Sequence, residues 1–146
     1  MESKGIDALD RRILDQLRID ARLSWRELGE RVHLSPTSVA ERVRNLERRG
    51  VVRGYHVDVD PAAMGRGLRA VIDVGLPPGV SPDAFEATLV ERTEVTFAAY
   101  VTGKADYTVI VDCDGPDGLD GFIRWLKSEA AVASTESKLV LRAVHG

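Results

Sequence analysis

The feature of this sequence that most restricts its fold is a pair of helix-start signals separated by very little chain. Residues 24–27 form a capping box, in which Ser24 and Glu27 can each satisfy the other's free backbone donor. Ser35 followed by Pro36 is a second start signal, because serine caps well and proline is tolerated at the first helical position. Only residues 33–35 remain as a turn between the two helices. So short a turn forces a sharp crossing, as in a helix-turn-helix.

Apolar spacing predicts three helices in this half of the chain. Helix 1 should span residues 8–20 with Asp7 as its N-cap, helix 2 should span residues 25–33, and helix 3 should span residues 36–49. In helix 3, the residues Val39, Val43 and Leu46 form an apolar stripe that should face the core. The opposite side of helix 3 is therefore expected to face outward.

That outward side carries the chemistry of a DNA-reading surface. Arginine can pair bidentately with guanine, asparagine can pair with adenine, and serine or threonine can bond phosphates or base edges. A polar helix face is by itself usually only a solvated face, but three capped helices, a short turn and many arginines together favour DNA binding. The candidate DNA-binding residues are Ser35, Thr37, Ser38, Glu41, Arg42, Arg44, Asn45 and Arg48. Arg42 only flanks the face, and it can alternatively hold helix 3 in place.

The charge distribution separates the two halves of the chain. Residues 1–54 carry 12 Lys and Arg against 9 Asp and Glu, whereas residues 55–146 carry 8 against 14. The first half is thus positive and the second negative. A basic half can approach a polyanion and an acidic half is repelled by one, which favours different partners for the two halves.

The boundary between the halves is predicted by a change of pattern. Residues 55–60 alternate apolar and polar side chains, which predicts a half-buried strand, and Pro61 ends it before a linker over residues 61–67. The predicted organisation is a helix-turn-helix domain at 1–54, a strand and linker at 55–66, and a second domain at 67–146.

The second domain shows the order βαββαβ. Strands are predicted at 68–74, 95–102, 107–111 and within 132–144, with one helix capped by residues 81–83 and a second helix carrying the stripe Leu119, Phe122, Ile123 and Leu126. This order is typical of a ferredoxin-like antiparallel sheet with both helices on one face. The predicted class is therefore α+β, with a winged-type helix-turn-helix followed by a ferredoxin-like domain. The uncovered sheet face or an edge should meet a second copy of the chain.

Five short stretches, distributed along nearly the whole chain, have an order and spacing that match a known pattern. They are residues 6–14 (IDALDRRIL), 20–22 (DAR), 34–47 (LSPTSVAERVRNLE), 50–55 (GVVRGY) and 101–107 (VTGKADY). Together they closely resemble the Lrp/AsnC family, also called feast/famine regulators. The last stretch is similar to that family's Gly-x-x-Asp turn followed by an apolar strand.

The resemblance implies a specific set of partners. Family members bind double-stranded DNA as dimers, which commonly assemble further into rings or discs, so this chain is expected to form a homodimer, with tetramer and octamer left open. The strand near residues 54–59 would help to pair the subunits. An amino acid or a related metabolite would act as effector near the Gly-x-x-Asp turn, between dimers.

The effector residues follow from that turn. Gly103 and Asp106 are assigned by the motif, and Tyr100, Thr102, Ser134, Thr135 and Ser137 by neighbourhood. From the residues alone, Gly103 could equally make an ordinary hairpin, and the hydroxyls could line an ordinary strand. The chain departs from the family pattern at Ala105, where relatives often carry an aromatic, and at Ala130-Ala131, where Pro-Gly is expected.

Other functions are disfavoured by the residues. The acids Asp112, Asp114, Asp117 and Asp120 do not fit an EF-hand loop, and His33, His56 and His145 lack metal-ligand spacing. Cys113 stands alone, no paired base and nucleophile is readable, and no apolar run is long enough to span a membrane. We therefore expect a cytoplasmic non-enzyme without metal or cofactor. An architectural DNA-compacting protein remains the alternative, and a small ferredoxin-like enzyme a remote one.

Overall fold

The computed structural model describes residues 5–144, so His145, weighed above as a metal ligand, lies outside the described residues. The chain forms two compact units, Met1–Val57 and Asp58–Gly146. The first unit contains three helices: α1 (Ala8–Ile19), α2 (Trp25–Val32) and α3 (Pro36–Arg48). Each lies within a residue of its predicted bounds.

Each of these helices begins at the predicted capping residue. The Asp7 carboxylate accepts from the Asp10 backbone N–H at 2.7 Å, and the Asp10 carboxylate accepts from the Asp7 N–H at 3.2 Å. Ser24 and Glu27 form the second reciprocal pair, at 3.2 and 2.8 Å. The Ser35 hydroxyl accepts from the Ser38 backbone N–H at 3.2 Å. Side chains thus satisfy donors that the first helical turn leaves free.

The turn between α2 and α3 depends on close backbone contact. His33 ends α2 in the left-handed conformation with φ 60°, and the Leu34 N–H donates to the Gly29 carbonyl at 2.9 Å. A Cβ at position 29 would lie 2.5 Å from the Leu34 carbonyl oxygen, so only glycine fits there. The three helices enclose a core made of Ile13, Leu28, Val32, Val39 and Val43, each at most 1% exposed.

The predicted strand at residues 55–60 is wrong for the single chain. The segment pairs with no strand among the described residues, and the described part of the first unit contains no strand to act as a wing. Its apolar residues are exposed: Tyr55 by 49%, Val57 by 85% and Val59 by 50%. The alternating pattern is real, but a strand needs a neighbour to bond its backbone, and the described residues of one chain supply none.

The second unit has the predicted ferredoxin-like topology. Its elements are β1 (Leu68–Gly75), α4 (Pro82–Leu89), β2 (Val95–Tyr100), β3 (Tyr107–Cys113), α5 (Pro116–Ser128) and β4 (Ser134–Leu139). The strands form one antiparallel sheet in the order β2-β3-β1-β4. The last strand lies within the predicted range; outside it, Val132 is buried beside α5, whereas Leu141 and Val144 are over 90% exposed.

Both helices cover one face of this sheet. Phe85 and Leu89 from α4 and Phe122 and Leu126 from α5 pack in one core with alternate residues of the central strands, including Ile72 and Val109. Ser81 precedes α4 as predicted, but its side chain makes no capping bond. In residues 5–144, no helix is both long enough and apolar enough to cross a bilayer.

Candidate DNA-binding and effector sites

The outer face of α3 presents the side chains expected of a DNA-reading surface. Val39, Val43 and Leu46 are buried, while the exposed residues are Ser35, Thr37, Ser38, Glu41, Arg44, Asn45 and Arg48. The Ser35 hydroxyl is used by the helix cap and also donates to the Ser38 hydroxyl at 2.9 Å. The remaining side chains point to solvent on one continuous surface.

Two arginines on this surface are available for an external partner. Within residues 5–144, neither Arg44 nor Arg48 has a hydrogen-bond or ion-pair partner. Both line one shallow concavity on the outer side of α3, together with Thr37, Glu41 and Glu47. The Asn45 side-chain oxygen accepts a long bond from Arg49 Nη1 at 3.3 Å, and its amide N–H donors have no partner in the described part of the chain. Free guanidinium and amide groups on one helix face can reach phosphates or base edges.

Arg42 occupies a different position from the other candidates. Its Nη1 lies 2.7 Å from Asp7 Oδ2 and 2.7 Å from Asp10 Oδ1, so α3 is tied to the start of α1. The backbone N–H of Asp10 and then the Arg42 guanidinium hold the pKa of Asp7 below its ordinary value. Arg42 therefore positions α3, which is the alternative that the sequence left open for it.

A second contact fixes the far end of α3. Tyr55 donates its hydroxyl proton to Glu47 Oε1 at 2.8 Å. The partial loss of solvent around Tyr55 and then this bond to a carboxylate raise the pKa of Tyr55 to about 12. The bond occupies the Glu47 carboxylate, which borders the concavity with Arg44 and Arg48.

In the second unit, the predicted turn connects β2 to β3 and is bonded to the end of β1. Gly103 has φ 124°, which glycine adopts readily. Asp106 Oδ2 accepts from the Leu76 N–H at 2.7 Å, and the Asp106 N–H donates to the Val74 carbonyl at 2.9 Å. Asp106 thus anchors the turn to the end of β1, and its other carboxylate oxygen has no partner in the described chain.

A concavity of about 700 Å³ lies beside this turn on the sheet face without helices. It brings together three of the predicted effector residues, Thr102, Ser134 and Thr135, next to Gly103. Tyr100 is not among the lining residues, since its ring lies 5.1 Å from that of Tyr107. Ser137 is also absent, since β4 contributes Ser134, Thr135, Glu136 and Lys138 to the lining.

Sequence reasoning missed the charged groups of this concavity. Asp73 Oδ2 lies 2.6 Å from Lys138 Nζ, and Asp73 Oδ1 accepts from the Thr108 hydroxyl at 2.8 Å. The Lys138 ammonium and then the Thr108 hydroxyl hold the pKa of Asp73 below its ordinary value. The available signal in the sequence was Asp73, an acid inside a mostly apolar strand. The residues that contact Asp73 depend on the register of β1 with β3 and β4, which a single sequence does not specify.

Comparison with known proteins accounts for both units. The AsnC-type helix-turn-helix domain matches residues 6–47, and the Lrp/AsnC ligand binding domain matches residues 69–145. This chain belongs to the Lrp/AsnC family. It is 33% identical over 149 residues to the HTH-type transcriptional regulator AldR of Mycolicibacterium smegmatis, covering 100% of this chain and 87% of the relative.

Two further relatives of this Lrp/AsnC chain are named for, or were solved with, an amino acid. The leucine-responsive regulatory protein of Escherichia coli is 40% identical over 107 residues, covering 71% of this chain and 65% of the relative. A Neisseria meningitidis transcriptional regulator, solved as a complex with L-Met, has a TM-score of 0.85 and 30% identity, covering 97% and 94% of the two chains. The present chain is accordingly a helix-turn-helix transcriptional regulator.

The two departures from the Lrp/AsnC pattern have structural consequences. Ala131 follows α5 with φ 52°, so a residue with a Cβ takes the left-handed position where the family pattern led us to expect glycine. Ala105 lines the concavity with a small side chain, where an aromatic would occupy part of the space. The first departure bears on stability and the second on what the concavity can hold.

Two of the acids at residues 112–120 form ion pairs within the second unit. Asp112 is 4% exposed and receives two bonds from Arg69, at 2.6 and 2.7 Å. Asp120 pairs with Arg124 at 2.7 Å. Among the described residues, no three His, Cys, Asp or Glu side chains are grouped so as to hold a metal ion.

Proposed function

We propose that this regulator binds specific sites in double-stranded DNA through the outer face of α3, with Arg44 and Arg48 as its principal contacts. The supporting observation is that both guanidinium groups are exposed and without partners in residues 5–144, while the opposite side of the same helix is buried. A cation held ready without an internal partner loses little on binding a phosphate or guanine, and it gains from counterion release.

The test is a mobility-shift titration of the full chain on its selected DNA. Arg44→Ala and Arg48→Ala together should weaken binding by at least about tenfold, since each good contact is worth about 1–3 kcal/mol. Arg124→Ala in α5 removes the same charge from the second unit and is the control. Binding that survives the double change on every duplex, or footprints that coat DNA uniformly, would instead favour the architectural alternative.

We propose the 700 Å³ concavity as the site of an amino-acid effector. Lys104 offers a cation for a carboxylate and Glu136 an anion for an ammonium group, and the paired Lys138 and Asp73 add one charge of each sign to the lining. The unbonded oxygen of Asp106 lies on the adjoining turn. The supporting relatives are one named leucine-responsive and one solved with L-Met. Opposite charges around one opening suit a zwitterion.

A thermal-shift screen with the twenty amino acids tests this site, because a ligand that binds only the folded state raises the melting temperature. Asp106→Asn keeps an oxygen for the Leu76 N–H but removes the charge, so the response to the active amino acid should be lost. Asp114→Asn, on an exposed residue beyond β3, is the control and should respond as the unaltered chain does. An equal rise in melting temperature for the unaltered chain, Asp106→Asn and Asp114→Asn would exclude Asp106 from the effector site.

We further propose that the active species is a homodimer located in the cytoplasm and acting without catalysis. The segment at residues 55–60 exposes Val57 and Val59, and Phe97 of the sheet is 53% exposed. Light scattering during gel filtration should report a mass of two chains or a multiple of two. A monomer at micromolar concentration would contradict this proposal.

A further inference from the structure

Glu41 lies on the outermost line of α3, which it shares with Arg48. Successive residues of an α-helix are about 100° apart, which places Glu41 about 180° from the middle of the stripe made by Val39, Val43 and Leu46. The same carboxylate borders two concavities, one on each side of the helix. One contains Arg44 and Arg48, and the other contains Ser38 and Asn45. Glu41 is thus at the crest of the outer face, the part of the helix that would enter a groove most deeply.

The carboxylate at this crest is not used inside the protein. Glu41 is exposed, and within residues 5–144 it has no hydrogen-bond or ion-pair partner. Arg44 and Asn45 stand at the helical spacings that permit pairing with it, yet neither bonds to it. Glu47, the other acid on this surface, is instead bonded to Tyr55.

An unpaired carboxylate on a DNA-reading crest has one favourable target. It is repelled by phosphates, so it contributes nothing to general affinity. On the floor of the major groove, the cytosine N4 amino group donates a proton and is the preferred partner of a glutamate. Adenine also offers an amino group, but its neighbouring N7 is an acceptor that repels the second carboxylate oxygen.

We propose that Glu41 determines sequence specificity by accepting from the N4 amino group of one cytosine in each half-site. This rests on the proposed function, in which α3 lies in the major groove. The site should therefore contain a C·G pair at the position facing Glu41, flanked by pairs that Arg44 and Arg48 can reach. Glu41 here discriminates between bases, while the arginines supply affinity.

The test is selection of binding sites from random duplexes by the full chain, with sequencing of the bound pool. We expect the unaltered chain to prefer C·G at one symmetric position by about tenfold. Glu41→Ala should lose the preference at that position alone. Glu41→Gln should shift it to A·T, because glutamine pairs bidentately with adenine. Glu47→Gln removes the same charge from the same helix, so it should change affinity but leave the selected sequence unaltered.

The outcomes of this selection distinguish a failure of the Glu41 assignment from a failure of the proposed sequence-specific DNA binding. An unaltered chain that enriches a site, combined with Glu41→Ala and Glu41→Gln variants that enrich the same site, would overturn the assignment of Glu41 alone. An unaltered chain that enriches no sequence would overturn sequence-specific binding, and the assignment with it. Thermal melts of the two Glu41 variants, expected to lie close to that of the unaltered chain because Glu41 is exposed and unbonded in the described residues, verify that both are folded. Glu47→Gln keeps an oxygen that can accept from Tyr55, and its own melt verifies that it is folded.

Discussion

The Arg42 guanidinium on α3 lies 2.7 Å from the Asp10 carboxylate on α1, and Asp10 is only 7% exposed. Removing the arginine would leave a buried carboxylate short of a partner, which is costly. Because Arg42 itself is one third exposed, we expect Arg42→Ala to lower the free energy of unfolding of the first unit by about 1–2 kcal/mol.

Chemical denaturation of Arg42→Ala and Arg44→Ala checks this division of roles. Arg44→Ala should change stability by less than about 0.5 kcal/mol, since its side chain is exposed and unbonded in the described chain. It should nevertheless weaken DNA binding more than Arg42→Ala does at a temperature where both are folded. The reverse order in either measurement would contradict the placement of Arg42 as a positioning residue.

Gly29 is expected to be irreplaceable in the turn of the helix-turn-helix. The Cβ of Gly29→Ala would meet the Leu34 carbonyl oxygen at 2.5 Å, which forces the backbone apart and should destabilise the unit by about 1–3 kcal/mol. Gly121→Ala in α5 meets nothing within 4 Å and should stabilise slightly through helix propensity. Equal urea midpoints for the two variants would argue against the tight turn.

Ala131→Gly should stabilise the second unit. Ala131 has φ 52°, a conformation that costs an L-residue about 1–2 kcal/mol and glycine nearly nothing. Part of the gain is offset because glycine is more flexible when unfolded, so the expected net effect is about 0.5–1 kcal/mol. Ala133→Gly, where no positive φ is present, should instead destabilise. Urea titration measures the free energy of unfolding of both variants, and a loss of stability in Ala131→Gly would contradict this prediction.

Tyr55 gives the first unit a pH dependence in the alkaline range. The partial loss of solvent around Tyr55 and the bond to Glu47 raise the pKa of Tyr55 from 10.0 to about 12, so the folded state holds this proton more tightly than the unfolded state. The resulting stability is fully present below pH 10 and is lost as the pH rises towards 12. The stability difference between the unaltered chain and Tyr55→Phe should therefore shrink between pH 9 and about pH 11.5. A difference that grows over this range would contradict the Tyr55–Glu47 bond.

The elements that could be predicted from sequence are those specified by short-range chemistry. Capping residues such as Ser24 and Ser35 act on backbone groups within three residues, so the starts of α2 and α3 were readable. The order of strands and helices in the second unit followed from periodicity in the same way. Ser81 shows the limit, because it precedes α4 without making the capping bond.

What could not be predicted depends on partners distant in sequence. The pairing of Asp73 with Lys138 is set by the register of β1 against β4, and Arg42 reaches Asp10 across the three-helix core. The prediction of a strand at residues 55–60 was wrong for another reason. The alternation of apolar and polar residues predicts a strand, but the described residues of the same chain supply no second strand for it to pair with. Five of the seven effector residues were placed by proximity in sequence, and of these the concavity is lined by Thr102, Ser134 and Thr135 but not by Tyr100 or Ser137.

The most direct test of the account is guanine-N7 methylation protection on the selected DNA, because N7 lies in the major groove. The unaltered chain should protect guanines in two patches about 10 base pairs apart, or a multiple of that, and Arg44→Ala with Arg48→Ala should abolish the protection. Tight binding that leaves every guanine N7 open to methylation would show that α3 does not lie in the major groove.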